Sequence, residues 1–145
     1  MKKEKSAGAI IYYTENGIIY FLLVKSTYWG FVKGWIEENE SITETIKREA
    51  KEEANLDGLE FIKGFEYKQH WTYRMNNQLI SKDAVFYLAK ISKEEAKNVK
   101  ISFEHVEFKW ASFDEAMKLL RIKDNQKMLA KAYEFVKEHE KQKRL

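Results

Sequence analysis

The chain has 145 residues, of which 44% are hydrophobic and 34% are charged, so it can bury one ordinary core, and we predict a single domain over residues 1–145. A formal net charge of +3 is too small to indicate a nucleic-acid-binding surface by itself. The complete absence of cysteine excludes disulfide bonds and thiolate zinc sites, and we expect a cytoplasmic protein.

The N-terminal third predicts a hairpin, a loop region and a helix. The apolar runs "AGAIIYY" and "GIIYFLLVKS" flank "TENG", and an Asn-Gly pair in that position predicts a β-hairpin. Neither run is long enough to cross a bilayer, so we expect no membrane association. The segment "WGFVKGWIEENE" predicts short strands and a loop. Ser41 and Glu44 form a capping box, which predicts that a helix begins there.

The remainder of the chain predicts more strands, followed by helices. Two β-prone stretches, "LEFIKGFEYKQHWTYR" and "LISKDAVFYLAKI", are joined across the turn residues "MNNQ". The segment "VEFKWAS" predicts another strand, and "SFDEAMKLL" and "NQKMLAKAYEFVKEH" predict amphipathic helices. The order of strands, helix, strands and helix favours a mixed α/β sandwich.

The helix that begins at Ser41 places three glutamates in an unusual position. At about 100° per residue, Glu49 and Glu53 fall on the apolar side of the helix, and Glu52 falls on its flank. A carboxylate removed from water costs several kcal/mol unless a partner compensates its charge. We therefore predict a divalent cation, magnesium or manganese, at this helix, with Arg48 holding Glu52 by an ion pair. The alternative is a short apolar stripe on a helix whose glutamates are solvated.

The spacing of these residues resembles the Nudix box, G-x5-E-x7-R-E-U-x-E-E-x-G-U, where U is a bulky aliphatic residue. Every charged position of that pattern is matched, together with its first glycine: Gly34, Glu40, Arg48, Glu49, Glu52 and Glu53. Two positions depart from it, because Ala50 is small and Asn55 replaces the last glycine. Asparagine tolerates the left-handed conformation that ends a helix, so we expect Asn55 to end this one.

The resemblance to Nudix hydrolases implies a fold and a set of roles. The fold would be an α/β/α sandwich with a mixed central sheet, in which the box forms a loop–helix–loop. The activity would be hydrolysis of a nucleoside diphosphate linked to another group, with magnesium as cofactor and manganese as a substitute. Catalytic roles would fall to Arg48, Glu49, Glu52 and Glu53, and the metal would bind these three glutamates and the carbonyl of Gly34. One of these glutamates, with Glu49 as the first candidate, could act as the general base instead of binding the metal.

Outside the box, the chain resembles the asymmetrical diadenosine tetraphosphate hydrolases of animal and archaeal type. The likeness rests on "WGFVKGWIEENE", "SKDAVFYLA" and "FEHVEFKW". It implies that Lys33 and Lys82 contact phosphates and that Glu104 adds a carboxylate to the metal site. Arg74 could also contact phosphate.

The base-stacking residue is left open by the same resemblance. It would be Trp71 or Tyr73, although an aromatic residue on a strand packs into a core equally often. These hydrolases have a second aromatic ring for the base, and the corresponding position in this chain is Ile122.

We therefore expect magnesium-dependent cleavage of diadenosine tetraphosphate into ATP and AMP by a monomer. The expected partner is a small nucleotide. Two alternatives remain at this point: a Nudix hydrolase of nucleoside triphosphates or of 5′-triphosphorylated RNA ends, and a Nudix domain that senses a nucleotide without catalysis. The second could dispense with the carboxylates, all of which are present in this chain.

Overall fold

The structure is a computed structural model that describes residues 1–143. Its strands, numbered in chain order, are β1 (Lys2–Glu15), β2 (Ile18–Lys25), β3 (Trp29–Gly30), β4 (Val32–Trp35), β5 (Glu60–Phe61), β6 (Tyr67–Met75), β7 (Gln78–Lys90) and β8 (Glu107–Ala111). Its helices are α1 (Ile42–Ala54), α2 (Lys93–Ala96), α3 (Phe113–Leu119) and α4 (Lys123–Lys143). Over residues 1–143, no helix is long and apolar enough to cross a membrane.

All of these strands belong to one mixed sheet built around β1. Strand β1 runs parallel to β7, with Lys2 opposite Ile80 and Tyr12 opposite Lys90. It is antiparallel to β2 at its C-terminal end and to β4 in its middle, where Ala7 faces Gly34. Strand β6 is antiparallel to β7. These pairings place β4 beside β1 and bring β6 and β7 to the same half of the sheet.

Apolar cores lie on both faces of the sheet. On one face, α1 and α2 cover Ala9 and Ile11 of β1, and on the other face α3 and α4 cover Ile10 and Tyr12. Because both faces are buried, the middle of β1 is apolar at nearly every position rather than at every second one. The predicted α/β/α sandwich with a mixed sheet is confirmed.

The two predicted hairpins are confirmed by the backbone of their turns. Asn16 and Gly17 have φ of 52° and 78°, and Asn76 and Asn77 have φ of 51° and 62°. Positive φ at both central residues is the requirement of a type I′ turn, which matches the twist of the strands that it joins.

The structure differs from the predicted elements in two places. The stretch "LEFIKGFEYKQHWTYR" is not continuous: it forms the short strand β5 and then β6, with a loop between them in which Gly64 has φ of 100°. A left-handed residue interrupts strand pairing, so the alternating pattern continues only after it. The short helix α2 was missed, although Ser92 caps it by accepting a hydrogen bond from the Glu95 amide.

The C-terminal half of α4 is fastened to the sheet by a half-buried carboxylate. Glu140 accepts hydrogen bonds from Lys90 Nζ at 2.9 Å and from the Tyr12 hydroxyl at 3.0 Å. Burial alone would raise the pKa of Glu140, but these two donors outweigh it and lower the pKa.

We expect Glu140→Gln to lower the free energy of unfolding by about 1–3 kcal/mol, because Lys90 loses its charged acceptor. Since the pKa of Glu140 is lowered by folding, its contribution is present above pH 4.5 and is lost as the pH falls through the folded-state value. Urea unfolding at pH 7 and pH 3 measures both effects. The exposed pair of Glu134 with Lys137 provides the control, and Glu134→Gln should cost less than about 1 kcal/mol.

Candidate active site

Helix α1 has the predicted beginning and end. The Ser41 hydroxyl accepts from the Glu44 amide, and the Glu44 carboxylate accepts from the Ser41 amide, which completes the capping box. At the other end, Asn55 adopts φ of 58°, and its amide donates to the carbonyls of Ala50 and Lys51. Asparagine therefore ends this helix in the left-handed conformation, as expected.

The three glutamates in the C-terminal half of α1 differ in exposure as the helical periodicity predicts. Glu53 is 6% exposed, Glu49 is mostly buried, and the side chain of Glu52 is 59% exposed. Glu53 Oε2 accepts a hydrogen bond from the backbone amide of Lys33 at 3.1 Å, which fixes the carboxylate against β4. The inward orientation of Glu49 and Glu53 is thus confirmed. Of the three glutamates, only Glu52 is exposed to water, as the alternative interpretation expected for all of them.

Burial and mutual repulsion keep a proton on the inner pair of carboxyl groups. The pKa of Glu53 is raised to about 9, first by burial and then by the charge of Glu49 and a hydrogen bond with it. Burial also raises the pKa of Glu49, although the Arg48 guanidinium opposes that effect. Burial and the charge of Glu49 therefore favour the protonated form of Glu53, and the contact with Arg48 favours the ionised form of Glu49.

Arg48 organises the acidic residues around α1. Its guanidinium donates to Glu40 at 2.7 Å, to Glu49 at 2.8 Å and to Glu52 at 3.3 Å, and also to the backbone carbonyl of Trp35 at 2.9 Å. The predicted pair with Glu52 is present, but Glu40 is the closest partner. Hydrogen bonds, chiefly from Arg48, lower the pKa of Glu40 to about 2. Arg48 therefore ties the loop before α1 to the carboxylates of the helix.

Gly34 allows Glu49 to approach β4. A Cβ atom at Gly34 would overlap the Glu49 carboxylate. Because β4 is paired with β1 at this point, the strand cannot retreat from the helix. The first glycine of the box is thus required by contact with a box glutamate.

A cavity of about 740 Å³ opens between β4, α1 and the loop before β8. Its lining consists of Lys33, Gly34, Trp35, Glu37, Arg48, Glu49, Glu52, Glu53, Ser102, Phe103 and Glu104. We call it the carboxylate cavity. Among the described residues, no three His, Asp or Glu side chains already converge on a metal position. The donor set nevertheless fits a hard divalent cation, because carboxylate oxygens predominate and Glu53 holds a proton that such a cation would displace.

The loop before β8 is attached to the inner end of α1. The Ser102 amide donates to the Glu53 carbonyl at 3.1 Å, and His105 Nε2 lies 3.5 Å from Glu53 Oε1. The charge of Glu104 contributes to the raised pKa of Glu53, so this carboxylate faces the same region. Burial lowers the pKa of His105. The contact of His105 with Glu53 was missed, because no local sequence pattern marks it.

Two lysines converge on one aromatic ring beside the carboxylate cavity. Lys33 Nζ lies 4.9 Å and Lys82 Nζ 5.5 Å from the centre of the Trp71 ring. Burial and the neighbouring charge of Lys82 lower the pKa of Lys33. The mutual repulsion of two ammonium groups beside one ring would be relieved by an anion. The structure therefore brings together three of the five predicted substrate contacts.

The other two predicted contacts lie elsewhere on β6. The Tyr73 hydroxyl donates to Glu4 Oε1 at 2.8 Å, so its polar end is occupied by β1. Arg74 is exposed, and because side chains alternate along a strand, it points to the face opposite Trp71. Neither residue joins Lys33 and Lys82.

A second, smaller cavity of about 230 Å³ adjoins the first, and Lys33 and Glu53 line both. We call it the inner cavity. Its other walls include Trp29, Ile122 and Asn125. Trp29 is buried, and one side of it lines this cavity. Asn125 was missed; it is fixed by a hydrogen bond of 2.8 Å from Gln69 Nε2, and nothing in the local sequence marks it.

Comparisons with known proteins agree with this geometry. Residues 2–132 match the family model described as the NUDIX domain. Over 84% of both chains, the protein is 30% identical to the asymmetrical bis(5′-nucleosyl)-tetraphosphatase of Sus scrofa. It is 28% identical to the Caenorhabditis elegans enzyme of the same name, over 91% of this chain and 96% of that enzyme. A crystal structure of a C. elegans Ap4A hydrolase binary complex superimposes with a TM-score of 0.79 at 27% identity, covering 92% of this chain and 97% of the other.

Proposed function

Because the chain belongs to the Nudix hydrolase family, we propose that it hydrolyses diadenosine tetraphosphate asymmetrically, into ATP and AMP, with magnesium as cofactor. The observation that supports this proposal is the position of Lys33 and Glu53. These two residues lie between a cavity rich in carboxylates and a cavity with aromatic and amide walls. A polyphosphate could lie against the first while a nucleoside enters the second.

The metal would be held by Glu52, Glu53 and Glu104, together with the carbonyl of Gly34, and Glu49, the remaining predicted ligand, would serve as the general base instead. When bound, magnesium or manganese neutralises phosphate charge and lowers the pKa of a coordinated water. Glu53 would give up its proton on metal binding. Arg48 would hold Glu49 and Glu52 in place throughout, since its guanidinium contacts both.

The side chains of this protein have separate tasks in the reaction. Lys33 and Lys82 bind the phosphate chain through their ammonium groups. Glu49 remains ionised beside Arg48 and accepts the proton of the attacking water, whose oxygen bonds to phosphorus as a phosphoanhydride bond breaks. In the inner cavity, the ring of Trp29 and the amide of Asn125 receive one adenosine. Trp71 positions the ammonium groups of the two lysines. Tyr73 and Arg74 are not assigned a contact with the substrate.

Lys82→Ala should raise the KM for diadenosine tetraphosphate about tenfold, because a charged contact with phosphate contributes about 1.5–3 kcal/mol. The melting temperature should change little, since the lost contact with the Trp71 ring is offset by relief of the repulsion between Lys82 and Lys33. Steady-state kinetics measures the effect. Lys68→Ala is the matched control, because it removes an exposed lysine from β6 on the face opposite Trp71. An equal rise in KM for both variants would contradict the role of Lys82.

The proposal is tested by incubating the protein and magnesium with a panel of diadenosine tetraphosphate, nucleoside triphosphates, ADP-ribose and 5′-triphosphorylated RNA. Equal amounts of ATP and AMP from the first substrate support it. Faster turnover of a triphosphate or of the RNA would assign the protein to a different Nudix substrate class. No turnover of any member would favour a sensing domain.

We also propose that the protein works as a single-domain monomer in the cytoplasm. The absence of cysteine suits a reducing compartment, and a small nucleotide requires no partner chain. Size-exclusion chromatography with light scattering tests the oligomeric state, for which the monomer mass is 17.3 kDa.

A further inference from the structure

Two large aromatic side chains border the carboxylate cavity and pack into neither core. Trp35 is 61% exposed and Phe103 is 97% exposed. Both line the carboxylate cavity, and neither belongs to the apolar clusters on the two faces of the sheet. Both rings therefore present apolar faces beside the cavity that no other part of residues 1–143 covers.

The backbone on which each ring stands is tied to the box helix. The carbonyl of Trp35 accepts a hydrogen bond from Arg48 Nη2 at 2.9 Å, and Trp35 is paired with Ser6 of β1. Phe103 follows Ser102, whose amide donates to the Glu53 carbonyl at 3.1 Å. Both rings are therefore placed relative to the same carboxylates that would surround the phosphates.

The two cavities differ in what they can hold. The inner cavity, at about 230 Å³, lies on one side of Lys33 and Glu53, and the carboxylate cavity, at about 740 Å³, lies on the other. The larger cavity has about three times the volume of the inner one. Exposed aromatic faces bind nucleobases by stacking, whatever the base.

We propose that Trp35 and Phe103 form a second base-binding site, which takes the nucleoside at the other end of a dinucleoside polyphosphate. This inference rests on the proposed function, because the phosphate chain must cross Lys33 and Glu53 for its two ends to reach the two cavities. It assigns recognition of the second nucleoside to the rim of the carboxylate cavity. A nucleotide with only one nucleoside would leave both rings free.

The test compares diadenosine tetraphosphate with adenosine 5′-tetraphosphate, which has the same phosphate chain but lacks the second nucleoside. For Trp35→Ala and for Phe103→Ala, kcat/KM for diadenosine tetraphosphate should fall about tenfold relative to kcat/KM for adenosine tetraphosphate. Trp35→Phe should restore most of the ratio, because it keeps an aromatic face. Phe108→Ala removes an exposed ring of β8 that lines neither cavity, and it should leave the ratio unchanged.

Each outcome separates this inference from the proposed function. If wild-type protein cleaves neither tetraphosphate, the proposed function is wrong. If it cleaves both, and both alanine variants lower the two kcat/KM values equally, the second base-binding site is wrong. Thermal melting of every variant identifies a loss of folding. If an alanine variant does not fold, Trp35→Tyr and Phe103→Leu replace the alanine variants. Of these two, only Phe103→Leu removes an aromatic ring, so only it should lower the ratio of the two kcat/KM values.

Discussion

Glu53→Gln is expected to reduce the turnover of diadenosine tetraphosphate more than 100-fold, while the melting temperature of the metal-free protein stays the same or rises. Even residues that only orient a metal ligand contribute about 10- to 100-fold, and Glu53 would be a ligand itself. Glutamine has the shape of glutamate and keeps an oxygen that can accept from the Lys33 amide. In the metal-free protein it replaces a carboxyl group that burial and the charge of Glu49 keep protonated, so folding no longer has to raise the pKa of this side chain.

The same variant should remove a pH dependence of stability. The pKa of Glu53 is about 9 in the folded protein and 4.5 as its ordinary value, so the unfolded chain loses this proton first as the pH rises. The stability of metal-free wild-type protein should therefore decrease between about pH 5 and pH 9, and that slope should be smaller in Glu53→Gln. Thermal melts in a chelating buffer at pH 5, 7 and 9 measure it.

Glu38→Gln is the matched control, because Glu38 is exposed in the loop before α1 and the substitution makes the same change of charge. It should affect neither turnover nor the slope of stability with pH. A large fall in melting temperature for Glu53→Gln would mean that the charge of Glu53 supports the fold, and it would contradict the interpretation of α1 as a helix built for a cation.

Gly34→Ala should reduce turnover about 100-fold with little loss of stability. The added methyl group would overlap the end of the Glu49 side chain, which is flexible and can move aside. Gly34 also lies in strand β4, where its φ is not positive, so alanine fits its backbone. Displacing the carboxylate by about 1 Å is enough for an effect of this size on the reaction. Steady-state kinetics and urea unfolding measure the two consequences separately.

Gly8→Ala provides the opposite case. A Cβ atom at Gly8 would overlap the Val32 carbonyl and the Phe86 ring, neither of which can move freely. Overpacking of this kind costs about 1–3 kcal/mol, so this variant should lose stability. If Gly34→Ala were the less stable of the two, the glycine of the box would be required for folding rather than for the position of Glu49.

The features that could be predicted from the sequence depend on neighbours within a few residues. The turn at Asn16-Gly17, the capping box at Ser41 and the inward side of α1 each follow from a pattern no longer than one element. The alternation of side chains along β6 also separates Arg74 from Trp71, so the sequence already contained the reason to leave Arg74 out of the phosphate site.

The contacts that could not be predicted join distant segments through side chains that no periodicity marks. His105 reaches Glu53 from the loop before β8, and Asn125 reaches Gln69 from the start of α4. The preference of Arg48 for Glu40 over Glu52 likewise depends on how the loop before α1 folds back. Spacing alone favoured Glu52, because it lies one helical turn away.

The parallel pairing of β1 with β7 has a consequence for the order of folding. Lys2 lies opposite Ile80, so the box helix is contained in a long loop that closes only when these two strands meet. Closing a loop of that length is slow compared with forming a helix or a hairpin. A nascent chain that has not yet reached residue 90 would therefore contain every residue of the box, and could form α1, before Lys82 is fixed beside Trp71. Nucleotide binding should accordingly appear late in refolding, together with the parallel strands and after most of the helical signal.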